Sequence, residues 1–146
     1  MAAPDAILTR DPGTYALCLH LPEPRPIKVG ALGTWDFPAG YYIYVGSAWG
    51  PGGIAARLGR HLKGSHALRW HIDYLRAEST PVAIWIAPGQ HAECDWAAHL
   101  LANQAARIIV PRFGASDCTC PAHLAYVGEA APAAFSFPGG QNFDIS

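Results

Sequence analysis

Gly40-Tyr41-Tyr42-Ile43-Tyr44-Val45-Gly46-Ser47 packs aromatic and β-branched residues between glycines, the composition of a half-buried strand. Downstream, Gly50-Pro51-Gly52-Gly53 breaks the chain, and 54–63 carries Ile54, Leu58 and Leu62 at helical spacing. Upstream, 13–21 alternates: Tyr15, Leu17 and Leu19 point one way, and Ala16, Cys18 and His20 the other. A proline-dense connection at 22–26 is too poor in N–H donors for a central strand, and 27–32 reads as a second strand before a turn at Gly33-Thr34. Three strands this close favour an antiparallel meander. Further on, the pattern predicts helices over 68–77 and 91–104, the latter with Ala97, Leu100 and Leu101 as its buried stripe. Strands are predicted over 81–87, 107–110 and 124–127, the last two flanking a loop at 113–117. The fold class is α+β: a small antiparallel sheet of three central strands flanked by helices, with extra short strands. Residues 1–12 read as a flexible leader, 13–128 as the domain, and 129–146 as a C-terminal tail without period.

The length of 146 residues is enough for one domain with a core that needs no staples. Half of the residues are apolar and 14% are charged, which excludes a disordered chain. No apolar run reaches the ~18 residues a membrane span requires, and no secretory signal is visible. The expectation is a cytoplasmic protein without membrane contact, its four cysteines reduced. A formal net charge of −1 counts against a nucleic-acid binder, but the distribution softens that objection. The segment 54–71 holds Arg57, Arg60, Lys63, Arg69, His61, His66 and His71 and no acid. The plain alternative is a solvated basic helix face.

The residues with chemistry to offer are few. Tyr15 and Tyr44 supply phenols, Arg57 a planar two-pronged guanidinium, and Glu93 a carboxylate in an apolar helical pattern. On a helical wheel Glu93 falls at the centre of the stripe of Trp96, Ala97, Leu100 and Gln104, where a carboxylate is costly unless paired or metal-bound. In the helix's first turn it would instead satisfy free backbone N–H groups. Arg57 and His61 lie one turn apart at the edge of the apolar stripe, with Arg60 further toward water. Strand tyrosines are commonly core residues, and His61 fits a core-edge histidine equally well. Cys118-x-Cys120-x2-His123 invites zinc, with Asp117 as a candidate further ligand, but its one-residue spacer is unusual and the fourth ligand is not evident. Cys94 would have to approach in space. Zinc is therefore disfavoured against small buried thiols and a strand-end histidine.

Gly13-Thr14-Tyr15, Tyr44-Val45-Gly46, Arg57 with His61, and Glu93 occur in the order of the GIY-YIG nucleases, which the chain resembles. The resemblance is closer to a branch of small domains of unknown function, found alone or fused to endonuclease-III-type glycosylases. The run from Gly40 to Ala48, the blocks Arg57-Leu58-Gly59-Arg60-His61-Leu62, Trp70-His71-Ile72-Asp73-Tyr74-Leu75 and Glu93-Cys94, and the run from Phe113 to Leu124 carry it. It implies a metal-dependent endonuclease (a hydrolase) acting on DNA in repair, with a DNA-repair glycosylase as a partner. In that reading Tyr15, Tyr44, Arg57, His61 and Glu93 are catalytic, and Glu93 is the ligand of Mg²⁺ or another divalent cation. Arg60, Lys63, Arg69 and Ser116 would bind nucleic acid. The sequence departs from the family pattern in Thr14, where isoleucine is usual, in the long proline-bearing gap between the two phrases, and in lacking a clear terminal asparagine. Two other readings stay open: a non-catalytic nucleic-acid-binding module on a nuclease scaffold, and a zinc- or thiol-centred protein.

Overall fold

The structure, a computed structural model, describes residues 8–64, 67–130 and 135–146. Alternation in 13–21 produces the central strand β1 (Gly13–Leu21) of a five-stranded antiparallel sheet. Strand β4 (Gly40–Ala48) lies on one side of it and β5 (Thr80–Pro88) on the other. Strand β6 (Leu124–Tyr126) extends the sheet beyond β4, and β7 (Gln141–Asp144) beyond β5. Between β1 and β4 the chain makes a separate two-stranded ribbon of β2 (Arg25–Lys28) and β3 (Thr34–Phe37).

The period-two pattern sorts the core into two faces. Tyr15, Leu17, Leu19 and Leu21 of β1 share one face with Tyr42 of β4 and Ile84 and Ile86 of β5. Helix α1 (Gly53–Lys63) covers that face with Ile54 and Leu58, and α2 (His71–Arg76) with Ile72 and Leu75. On the other face Ala16, Cys18, Ile43, Val45, Trp85 and Ala87 meet α3 (Glu93–Leu101) through Trp96 and Leu100. Cys18, alone and wholly buried, is a small apolar residue there, its thiol pushed up to about 12 by burial.

The register explains the glycines of the two motif phrases. Tyr15 stands opposite Gly46, and a Cβ on Gly46 would meet the Tyr15 ring at 2.6 Å. A Cβ on Gly13 would meet the Ala87 carbonyl oxygen at 2.5 Å. Both glycines let a ring or a neighbouring strand come closer than any side chain permits.

Several sequence expectations need correction. The meander does not form, because β1 is flanked by β4 and β5 while the intervening hairpin forms its own sheet. The predicted strand at 27–32 ends at Lys28. The chain then turns through a 3₁₀ segment, Gly30–Leu32, closed by the Val29 N–H on the Gly33 carbonyl, and returns as β3. The predicted strand at 107–110 reduces to a single bridge between Arg107 and Tyr126. The supposed tail is part of the domain: Phe137 is buried between Trp85 and Trp96, and β7 pairs with β5. Its alanines, prolines and glycines hid a single edge strand. Residues 1–7 of the predicted leader lie outside the described residues. Residues 8–12 are built in: the carbonyls of Thr9 and Asp11 accept the N–H groups of Ala55 and Ile54, which α1's first turn leaves free. Among the described residues no helix is long and apolar enough to cross a membrane.

Candidate active site

A cleft of about 290 Å³ opens where the start of α2, the start of α3 and the loop before β6 approach the end of β4. Tyr44 and Ser47 line it from β4, Arg57 from α1, and Arg69, Trp70 and His71 from the entry to α2. Glu93 lines it from α3, with Ser116, Asp117, Cys118 and His123 from the loop side.

The cationic wall is held by a buried carboxylate. Asp73, its side chain wholly inaccessible, accepts from Arg60 Nη2 at 2.7 Å and from the backbone N–H groups of Arg69 and Trp70, both at 2.9 Å. These bonds occupy the segment before His71 and start α2 later than the pattern predicts. Arg60, expected to point to water and meet phosphates, is instead half-buried in this ion pair and lies 4.5 Å from the Trp70 ring centroid. Arg57 packs over the same ring at 4.3 Å and donates to the Ser47 carbonyl at 3.3 Å, so its guanidinium is tethered within the cleft. Of the other residues expected to bind nucleic acid, Arg69 and Ser116 line the cleft, while Lys63 is exposed at the end of α1. His66 lies outside the described residues.

Between the walls are the two phenols. Tyr44 lines the cleft; Tyr15 is buried behind it, its hydroxyl 2.6 Å from His61 Nε2. His61 is a core residue rather than an edge one, and its Nε2 meets a phenol. Burial raises the pKa of Tyr15, with Tyr44 and Glu93 acting in the same direction and Arg57 opposing. Burial and Glu93 likewise raise Tyr44, again against Arg57. Both rings are therefore neutral phenols near pH 7. His71 accepts the Gly114 N–H at Nδ1 (2.8 Å), and burial lowers its pKa, so at neutral pH its remaining nitrogen carries a proton and can donate.

Glu93 is not at the centre of an apolar stripe. It is the first residue of α3, its side chain 32% exposed, while Trp96, Ala97 and Leu100 form the buried face and Gln104 lies beyond the helix. Thr14, the departure from isoleucine, sets this helix start: its hydroxyl donates to the Gln90 carbonyl at 2.7 Å and accepts the Ala92 N–H at 3.0 Å. Glu93 and Asp117 are the two carboxylates lining the cleft. Hard oxygen donors in an open, polar cleft fit a Mg²⁺-type cation, which retains several waters.

Glu93 also faces a second group of residues. Its Oε2 lies 3.4 Å from His123 Nδ1, and His123 Nε2 lies 3.3 Å from the Cys118 sulfur. Cys94, Cys118, Cys120 and His123 offer ligand atoms all within 4.8 Å of one another. The fourth member absent from the sequence pattern is thus Cys94, brought in by the first turn of α3. Burial disfavours the Cys118 thiolate, but hydrogen bonds from the Cys120 backbone and thiol, together with His123, hold its pKa below the ordinary value.

Trp70, Thr14, Ser47 and the donor role of His71 escaped the sequence reading. Trp70, His71 and Ser47 stood there only as members of quoted phrases, and Thr14 as a polar residue replacing the usual aliphatic one.

These elements define an α+β domain with a polar cleft in which phenol, guanidinium and carboxylate meet beside a thiol–imidazole cluster. The family model described as Domain of unknown function DUF123 matches residues 14–137, most of the chain, and the chain belongs to that family. No curated protein and no solved structure matches it significantly.

Proposed function

We propose that this protein is a divalent-metal-dependent endonuclease of the GIY-YIG kind that hydrolyses phosphodiester bonds in DNA during repair. The observation that carries the reading is that Arg57 and Glu93, from different helices, share one cleft with Tyr44, with the Tyr15–His61 pair directly behind.

In this reading Arg57, restrained by Trp70 and Ser47, grips the scissile phosphate and stabilises the charge that gathers on its oxygens. Glu93, with Asp117, would hold the divalent cation, which supplies positive charge to the phosphate and the leaving oxygen. Tyr44 orients the attacking water with its neutral hydroxyl. The water's proton passes to the Tyr44 hydroxyl, which hands its own to Tyr15 behind it as Tyr15 passes its proton to His61 Nε2, so no free phenolate is needed. His71 donates to a phosphoryl oxygen, and Arg69 tracks the neighbouring backbone, a sequence-independent and salt-sensitive contact.

Divalent-metal-dependent cleavage of nicked, flapped and branched DNA tests the proposal. Glu93→Ala and Arg57→Ala should each lower the rate by about 10²–10³-fold. Variants that cleave as fast as the parent overturn it. Salt-dependent DNA binding without any cleavage would instead favour a binding module on the same scaffold.

A further inference from the structure

We propose that Cys94, Cys118, Cys120 and His123 form a tetrahedral Zn²⁺ site, and that the bound zinc fixes the carboxylate of Glu93 through His123. The second half rests on the reading of Glu93 as a working carboxylate; the first does not.

Three sulfurs and an imidazole are the donor set of structural zinc. Bonds of about 2.3 Å to sulfur and 2.0–2.1 Å to nitrogen set neighbouring ligand atoms about 3.5–3.8 Å apart in a tetrahedron. The Cys118 sulfur and His123 Nε2 stand 3.3 Å apart, and no pair in the group exceeds 4.8 Å, so rotation of the cysteine side chains closes the shell. Binding would release the three thiol protons to solvent and leave a site of net charge −1 around a neutral imidazole.

The loop that presents two of these ligands is held as a ligand knuckle is held. The Arg112 guanidinium donates to the carbonyls of Cys118 and Cys120, both at 2.6 Å, and to that of Ala115. The Arg112 backbone has a φ of 68°, a left-handed conformation that a non-glycine residue adopts only where its surroundings demand it. Backbone bonds from Arg112 to Pro121 and from His123 to Phe113, both 2.7 Å, close the base of the loop. Cys94 is carried to the group by the first turn of α3. Cys18 shows the contrast: a thiol with only a packing role is solitary and fully covered, whereas these three are grouped and half-buried or exposed.

With Nε2 on the metal, His123 turns Nδ1–H toward Glu93 Oε2, 3.4 Å away, and a small rotation of the part-exposed Glu93 side chain brings the two into hydrogen-bond geometry. This is the carboxylate–histidine–zinc arrangement, in which the carboxylate orients the ring and is itself oriented by it. One carboxylate oxygen is then engaged, leaving the other for the cleft. Zinc would thus hold the acidic wall as Asp73 holds the cationic wall.

The test uses the full chain purified without chelator, with elemental analysis and with cobalt replacing zinc. The expected result is one zinc per chain and a cobalt form with the intense visible bands of a tetrahedral ion plus thiolate-to-cobalt charge transfer in the near ultraviolet. Cys118→Ser and Cys120→Ser should lower zinc affinity, measured against a chromophoric chelator. Glu93→Ala should keep one zinc at saturation and bind it about 10–100-fold more weakly. A chain free of zinc whose cysteines titrate as free thiols or form a disulfide overturns the site. Zinc affinity unchanged in Glu93→Ala overturns the coupling. Failure of DNA cleavage alone touches neither, because metal content and affinity are read without substrate.

Discussion

The two walls of the cleft are built on opposite plans. The wall of Arg57, Arg69 and Trp70 comes from one continuous stretch and is locked by a single buried carboxylate, Asp73, with Arg60 and the Trp70 ring completing the lock. The wall of Glu93, Cys118 and His123 comes from two segments far apart in sequence, joined by short contacts between Glu93, His123 and Cys118. A contiguous wall can rely on its own backbone N–H groups as partners; a wall assembled from separate segments needs a cross-link. The thiol–imidazole group lies on the side assembled from separate segments.

Removing Asp73 is the most severe way to break this comparison. Asp73→Ala removes the carboxylate paired with Arg60, leaving it the Ala67 carbonyl, and strips the N–H groups of Arg69 and Trp70 of their acceptor. Loss of one member of a buried pair costs about 3–5 kcal/mol, and the exposed part of Arg60 places the expectation near the lower end. Urea denaturation should show a lower midpoint at unchanged slope. A midpoint matching the parent would mean that the cationic wall does not depend on this residue.

A milder cut falls at the root of the acidic wall. Thr14→Val keeps the volume but deletes the hydroxyl that holds the Gln90 carbonyl and the Ala92 N–H just ahead of Glu93. About 1–3 kcal/mol of stability should be lost. Hydrogen exchange should rise at the start of α3 while the N-terminal end of α2 keeps its protection, and equal loosening of both walls would contradict their independence.

The smallest effect lies between the walls. The pKa of Tyr15 is raised in the folded chain, so below its ordinary value near 10 both folded and unfolded chains keep the phenolic proton and stability does not depend on it. Above that value the unfolded chain binds fewer protons than the folded one, and stability falls as pH rises. Tyr15→Phe should flatten the alkaline limb of a stability–pH profile above pH 10, measured against the variant's own neutral value. An unchanged limb would place the Tyr15 hydroxyl in contact with water.

Much of the site was legible because its residues sit in short phrases whose local pattern is self-contained. Tyr15 and Tyr44 fall in alternating strands, and Arg57 follows a glycine break at helical spacing. Their nearness in space follows from the antiparallel register of β1 with β4. Strand exchange and edge pairing were not legible. A proline-bearing insertion can pair with β1 or with itself, and only tertiary packing chose the separate ribbon. Likewise, residues 129–146 carry no period, yet Phe137 finds a slot between two tryptophans that the chain presents only after folding.

By itself the sequence determined the fold class, the order of the phenols, the guanidinium and the carboxylate, and the basic stretch along α1, because strand and helix periods and glycine breaks are local properties. Tertiary structure alone decided three things: that Arg60 serves Asp73 rather than solvent, that Tyr44 and not Tyr15 faces the cleft, and that Cys94 completes a group with Cys118, Cys120 and His123. Each depends on side chains from separate elements meeting within a few ångströms, a distance set by how helices and loops pack on the sheet rather than by any spacing along the chain.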